Sequence, residues 1–251
     1  MTSLDSRRST GTGDPRLLAA AARSVLACPE GVNLVVDGVD DVLDDLGDPA
    51  EGGRGELGMQ DLGGVPTFSS PAGTRLVAAA TEGRRALMTL ESGLGRPGTP
   101  DREAVLTLGG RLERRGADRC ECCTEERETV VLVVDVVVLT RPRAGGDQVR
   151  VPVEHFRSSV HDLNRGYLQR ATEHANLAHQ DELRRAVATT VDLPLSAVVG
   201  VALHGLCPTG VEVQWVGLDG AHTRRLVFAR PATTTEELGD ALRRELHAGL
   251  C

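Results

Sequence analysis

The alternation of apolar and polar residues changes its rhythm along the chain. Residues 1–14 (MTSLDSRRSTGTGD) are polar throughout, which predicts a disordered start. Pro15 opens an Ala-rich run that predicts a helix to about Ala27, and GVNLVV after it reads as a strand. Val39, Val42, Leu43 and Leu46 fall at i, i+3, i+4 and i+7, so VDDVLDDLGDP predicts an amphipathic helix with a solvated acidic face. Its aspartates lack the 1-3-5 spacing and the glycine of a calcium loop. GVPTFSS, RLVAAATEGRRALMTLES, AVLTLGGRLERRG and TVVLVVDVVVLTRP then supply three or four β-rich runs separated by Gly and Pro. The continuous valines of the last predict a strand buried on both faces. Such spacing suits a small barrel or sandwich better than βαβ repeats.

Beyond about residue 157 the order becomes helix, short helix, hairpin, helix. A helix is predicted from Leu163 to Thr190, and strands in SAVVGVALHGL and GVEVQWVGLDGAHTRRLVFARP flank a turn at Asp219-Gly220. TTTEELGDALRRELHAGL predicts a closing helix with Thr234 or Thr235 as N-cap and glutamates in its first turn. Two domains are expected, 15–155 and 156–251.

Composition narrows the function classes. Phe68, Phe156, Phe228, Tyr167 and Trp215 are the only aromatic residues, so the core must rest on Val, Leu and Ala. A net charge of −8 disfavours nucleic acid as a partner. All 28 cationic residues are arginine, which removes Walker-A, Schiff-base and Ser–Lys chemistry, because arginine does not give up its proton. No apolar run reaches the length of a membrane span. RLLAAAARSVLAC mimics a lipoprotein signal ending at Cys28, but Asp5 and Asp14 are wrong for an export n-region. Six unevenly spaced cysteines in a long chain point to a reducing cytoplasm.

Three stretches carry candidate chemistry. SGLGRPG places Gly93, Gly95 and Gly98 at dinucleotide-binding spacing, yet Pro97 and Pro100 follow where a helix should open, so a plain loop is expected. RCECC holds Cys120, Cys122 and Cys123, a C-x-x-C with one further thiol. It suits zinc or a redox disulfide, with a fourth ligand owed by Cys28, Cys207 or a histidine. EHANLAHQDELRRAV holds His174 and His179, five residues apart and so about 140° apart on a straight helix. That spacing argues against joint chelation of a small ion, which needs i, i+4. Heme relaxes the limit, since one helix need supply only one axial ligand. G-x-S-x-G, H-E-x-x-H and paired-carboxylate signatures are absent from the sequence, so hydrolase chemistry has little support.

The last hundred residues resemble the module that follows the split barrel in heme-handling relatives of pyridoxamine 5'-phosphate oxidase. That module begins with His-x-Asn-x-Asp-His, and this chain has His174-Ala175-Asn176-Leu177-Ala178-His179. GLCPTGVEVQW is similar to its Gly-x-Asp-x-x-Gly segment, RLVFARP (Phe228, Pro231) to its Phe-x-x-Pro strand, and EELGDALRREL to its last helix. Ala178 and Cys207 stand where the pattern has aspartate. HugZ-type heme oxygenases and the glutamyl-tRNA reductase binding protein share this arrangement. The resemblance implies an α+β fold, a six-stranded FMN-binding-type split barrel followed by a small α/β module, assembled as a homodimer. It implies heme as the ligand, with His174 on iron, Asn176 in the motif, and His179 or His247 as alternatives. FMN is the lesser implication, with Arg84, Arg85 and Ser69 as phosphate contacts. A heme-degrading oxygenase, a non-catalytic heme or metal sensor, and a zinc or redox protein are the competing functions.

Overall fold

The structure, a computed structural model, describes residues 14–42, 58–119, 126–141 and 147–247. Asp14 caps α1 (Pro15–Ala27) by accepting from the Arg16 N–H at 2.9 Å, and Pro15 occupies the first turn, where its missing donor costs nothing. β1 (Pro29–Val36) follows as the pattern predicts. The expected acidic helix does not start where its periodicity begins. Val39 instead bridges back to Val36 through a turn at Asp37-Gly38, with Gly38 at φ 69°. Residues 40–42 form no helix, with a bend at Asp40 and a turn at Val42, and residues 43–49 of that segment lie outside the described residues.

β2 (Met59–Leu62) and β3 (Val65–Pro71) form a hairpin, and α2 (Arg75–Thr81) precedes β4 (Arg85–Ser92). β5 (Val105–Arg119) and β6 (Glu126–Arg141) are long partners, and β7 (Asp147–Arg150) adds to β6. The result is a curled, wholly antiparallel seven-stranded sheet in the order β1-β4-β5-β6-β3-β2, with β7 beside β6, where six strands were expected. Register shifts at Gly109/Gly110 and Arg114/Gly116 in β5 let so long a pair bend. A Cβ on Gly110 would strike the Val133 backbone, so only glycine fits there.

A short α3 (Val153–Phe156) and a 3-10 turn (Ser159–His161) lead to α4 (Arg165–Ala178) and α5 (Gln180–Thr190). The single helix expected from Leu163 to Thr190 is thus two helices, hinged at His179 (φ −120°, ψ 31°). β8 (Val198–Cys207), β9 (Gly210–Gly217) and β10 (Gly220–Val227) form a second antiparallel sheet, and α6 (Thr235–His247) closes the chain. β9 and β10 turn through Leu218 and Asp219, and the Thr234 hydroxyl accepts from the Glu237 N–H at 3.1 Å as the N-cap. Buried apolar side chains gather in two clusters. One joins α1, α2 and the large sheet around Phe68, Leu106 and Leu132. The other joins α5, the small sheet and α6 around Leu203, Val211 and Phe228.

Candidate functional site

The seam between the two clusters is built by α1 and α4. Asn164 caps α4 by accepting from the Tyr167 N–H at 3.0 Å. One turn on, Gly166 is buried so tightly against α1 that a Cβ would lie 2.8 Å from the Ser24 carbonyl carbon. Gln169 then reaches the Gly93–Gly95 loop, donating to the Gly93 carbonyl at 3.0 Å and accepting from the Gly95 N–H at 3.0 Å. The glycine-rich stretch is a landing for α4, in keeping with a plain loop.

Below this seam Arg23 of α1 is 1% exposed. It donates to Asp61 at 3.2 Å, to Asp162 at 3.0 Å and to the Phe156 carbonyl at 3.2 Å, and so ties α1 to β2 and to the linker before α4. Burial pushes the Asp61 carboxyl above its ordinary value, against the pull of Arg23. Beside this cluster His161 is 8% exposed, and its Nε2 has no hydrogen-bond partner. Burial, then Arg23 and His155, hold its imidazole below the ordinary value. His161 lines a cleft of about 510 Å3 between α1, the β4–β5 loop and the start of α4. Nothing in the local sequence singles this histidine out, because its burial depends on Arg23, far away in the chain.

The predicted histidines lie elsewhere. The hinge at His179 overturns the straight-helix geometry that set His174 and His179 on diverging faces. Their rings meet edge to face with centroids 5.1 Å apart, and both side chains are exposed. His179 Nδ1 stands 4.0 Å from the Glu182 carboxylate, beyond hydrogen-bonding range. Asn176 turns the other way: its amide donates to the Leu203 carbonyl at 3.0 Å and accepts from the Leu203 N–H at 2.7 Å, clamping α4 to β8. His247 is the last residue of α6.

Cys120, Cys122 and Cys123 lie outside the described residues. Among the described residues no group of three or more His, Cys, Asp or Glu side chains is placed to hold a metal ion. Cys28 is buried, with its thiol pushed up by desolvation, whereas the Thr209 hydroxyl pulls the Cys207 thiol down. The three suggested flavin phosphate contacts do not converge. Arg84 pairs with Glu82 at 2.6 Å, Arg85 binds both oxygens of Asp135, and Ser69 accepts from Arg127 at 2.9 Å.

No protein-family model matches the chain, and no curated protein matches it. Among solved structures, a heme binding protein from Mycobacterium smegmatis aligns at 18% identity and TM-score 0.41, over 92% of this chain and 97% of its own. A general stress family protein from Xanthomonas campestris aligns at 15% and 0.37, over 53% and 92%. A protein of unknown function from Agrobacterium tumefaciens aligns at 17% and 0.34, over 94% and 98%. Likenesses this distant assign neither family nor function.

Proposed function

We propose that the chain binds heme at the α4–α5 corner, with His174 as the iron ligand and His179 or His247 as alternatives. The scaffold of the proposal is a split barrel (15–155) followed by an α/β module (156–251), assembled as a homodimer in the cytoplasm. The observation that carries the proposal is the corner itself: two exposed imidazoles brought together by the break at His179. No hydrogen bond to another described residue engages the His174 ring, and imidazole is a common axial ligand. The residues present therefore fit the group in donor chemistry. Bound heme would supply an iron able to change redox state and take up small gases. The chain's own part is to present the ring, and the Asn176 clamp to Leu203 keeps α4 in place to do so.

Hemin titrated into the purified protein tests this. A saturable Soret shift is expected, altered in position or amplitude in His174→Ala. A band that does not move, or that moves in His174→Ala and in His179→Ala just as it does in the unsubstituted protein, rejects the corner as the site. A heme-degrading oxygenase is the finer form of the proposal. Dioxygen, with ascorbate supplying the electrons, would then convert bound heme to biliverdin and free iron, whereas bound heme that survives both marks a carrier or sensor. A zinc or redox centre on Cys120, Cys122 and Cys123 is the competing proposal. Less than about 0.1 zinc or iron per chain, in protein purified without chelator, counts against a tight four-ligand metal site there.

A further inference from the structure

An unpaired buried nitrogen is costly, and in native folds such an atom calls for an explanation such as a water or ligand that completes it. His161 Nε2 is such an atom, and its ring stands in the wall of the 510 Å3 cleft. That volume falls within the range of small-molecule sites. The walls are mostly apolar, with Ala21 and Val25 of α1, Leu94, Leu139 and Leu163 among them. The charged lining is Arg141, Arg165 and Asp101. Arg165 is tied to Asp101, which leaves one positive charge over. It belongs to Arg141, which has no carboxylate partner among the described residues.

We infer that this cleft binds a small organic anion, an apolar body carrying one carboxylate, with Arg141 pairing its charge and His161 supplying a hydrogen bond. The apolar walls take the body out of water, and the Arg141 guanidinium selects a monoanion over a neutral analogue. The inference does not rest on heme binding. The cleft lies at the start of α4 and His174 near its end, so hemin variants at the corner and carboxylate variants at the cleft fail independently.

Decanoate is the probe, titrated into the 15N-labelled full chain and followed by amide chemical shifts, with decanol as the uncharged control. Saturable shifts are expected at Ala21, Leu94 and Leu163, with decanol at least tenfold weaker. Arg141→Gln should lose at least tenfold in affinity, and Ala21→Trp, which fills the cleft from α1, should abolish binding. His161→Gln should also weaken binding. Should that buried substitution perturb folding, the two other variants decide the matter. No saturable shift below about 1 mM, decanol binding as well as decanoate, or undiminished binding in Ala21→Trp each overturns the inference.

Discussion

Gly166→Ala separates helix propensity from helix packing, because the two effects have opposite signs at this position. In an isolated helix the change adds up to about 1 kcal/mol. Here the new Cβ would sit 2.8 Å from the Ser24 carbonyl carbon and 3.0 Å from its Cα. Carbon pairs pack best at about 3.5–4.0 Å, and the overlap with the Ser24 carbonyl oxygen is deeper still, so α1 and α4 must part by more than about 1 Å. Overpacking costs about 1–3 kcal/mol, and a clash with backbone belongs at the top of that range because no side chain can swing away. The net expectation is a loss of about 2 kcal/mol after the propensity gain is subtracted. For a chain of this size that lowers Tm by about 4–8 °C. Gly239→Ala in α6 is the internal control. Its Cβ would meet nothing closer than the tip of Arg243 at 3.6 Å, so it should stabilise by about 0.5–1 kcal/mol. Scanning calorimetry of both variants against wild type reads the difference. A Gly166→Ala protein as stable as wild type, or more so, refutes the close approach of α1 and α4.

Three further outcomes are expected. Since His161 is held below its unfolded value of 6.5, unfolding takes up a proton between the two values; its stabilisation is full above about pH 6.5 and is lost as pH falls through that window. Urea midpoints at pH 8 and pH 5 should therefore differ less in His161→Gln than in wild type, and an equal difference contradicts the assignment. Asn176→Ala removes both bonds to Leu203 and should cost about 1–3 kcal/mol in urea unfolding; an unchanged urea midpoint contradicts the clamp. Val35 and Leu87 are cross-strand partners on the large sheet, 58% and 49% exposed, and an apolar pair of that kind suits a subunit contact. Leu87→Glu should turn a dimer into a monomer by light scattering, and a wild-type monomer removes the homodimer proposal.

Local signals carried much of the fold, and tertiary contacts decided what they missed. Pro15 marked the start of α1, and Thr234 with the first-turn glutamates that of α6, because such signals act within one turn of the chain. The break at His179 also had a local signal. Asp181 and Glu182 place acidic residues in a first turn, as a new helix start does, but the apolar period ran on through the junction and masked it. His161 had no such signal. It sits one turn before a helix start, and only the Arg23 cluster and the fold of α1 over it make it a buried, unpaired ring. Pro97 and Pro100 mark the stretch around Gly93, Gly95 and Gly98 as a plain loop, but only the fold supplies its partner. Backbone amides exposed by glycine can meet a phosphate or a glutamine equally well, and here the partner is Gln169.

Both proposed sites hang on α4, and its anchoring bears on whether they communicate. At one end the Gly166–Ser24 approach and the Gln169 bonds fix the helix to α1 and to the Gly93–Gly95 loop. At the other, Asn176 grips Leu203, and Gln180 donates to the Asn176 and Val201 carbonyls at 2.8 Å each. A helix held at both ends transmits little unless it moves as a body, and 14 residues put about 20 Å between cleft and corner. A ligand in the cleft should therefore leave hemin affinity at the corner within twofold of its value without the ligand. Coupling beyond about fivefold, roughly 1 kcal/mol, would require α4 to have two docked positions, and the Gly166–Ser24 contact is the place where they would have to differ.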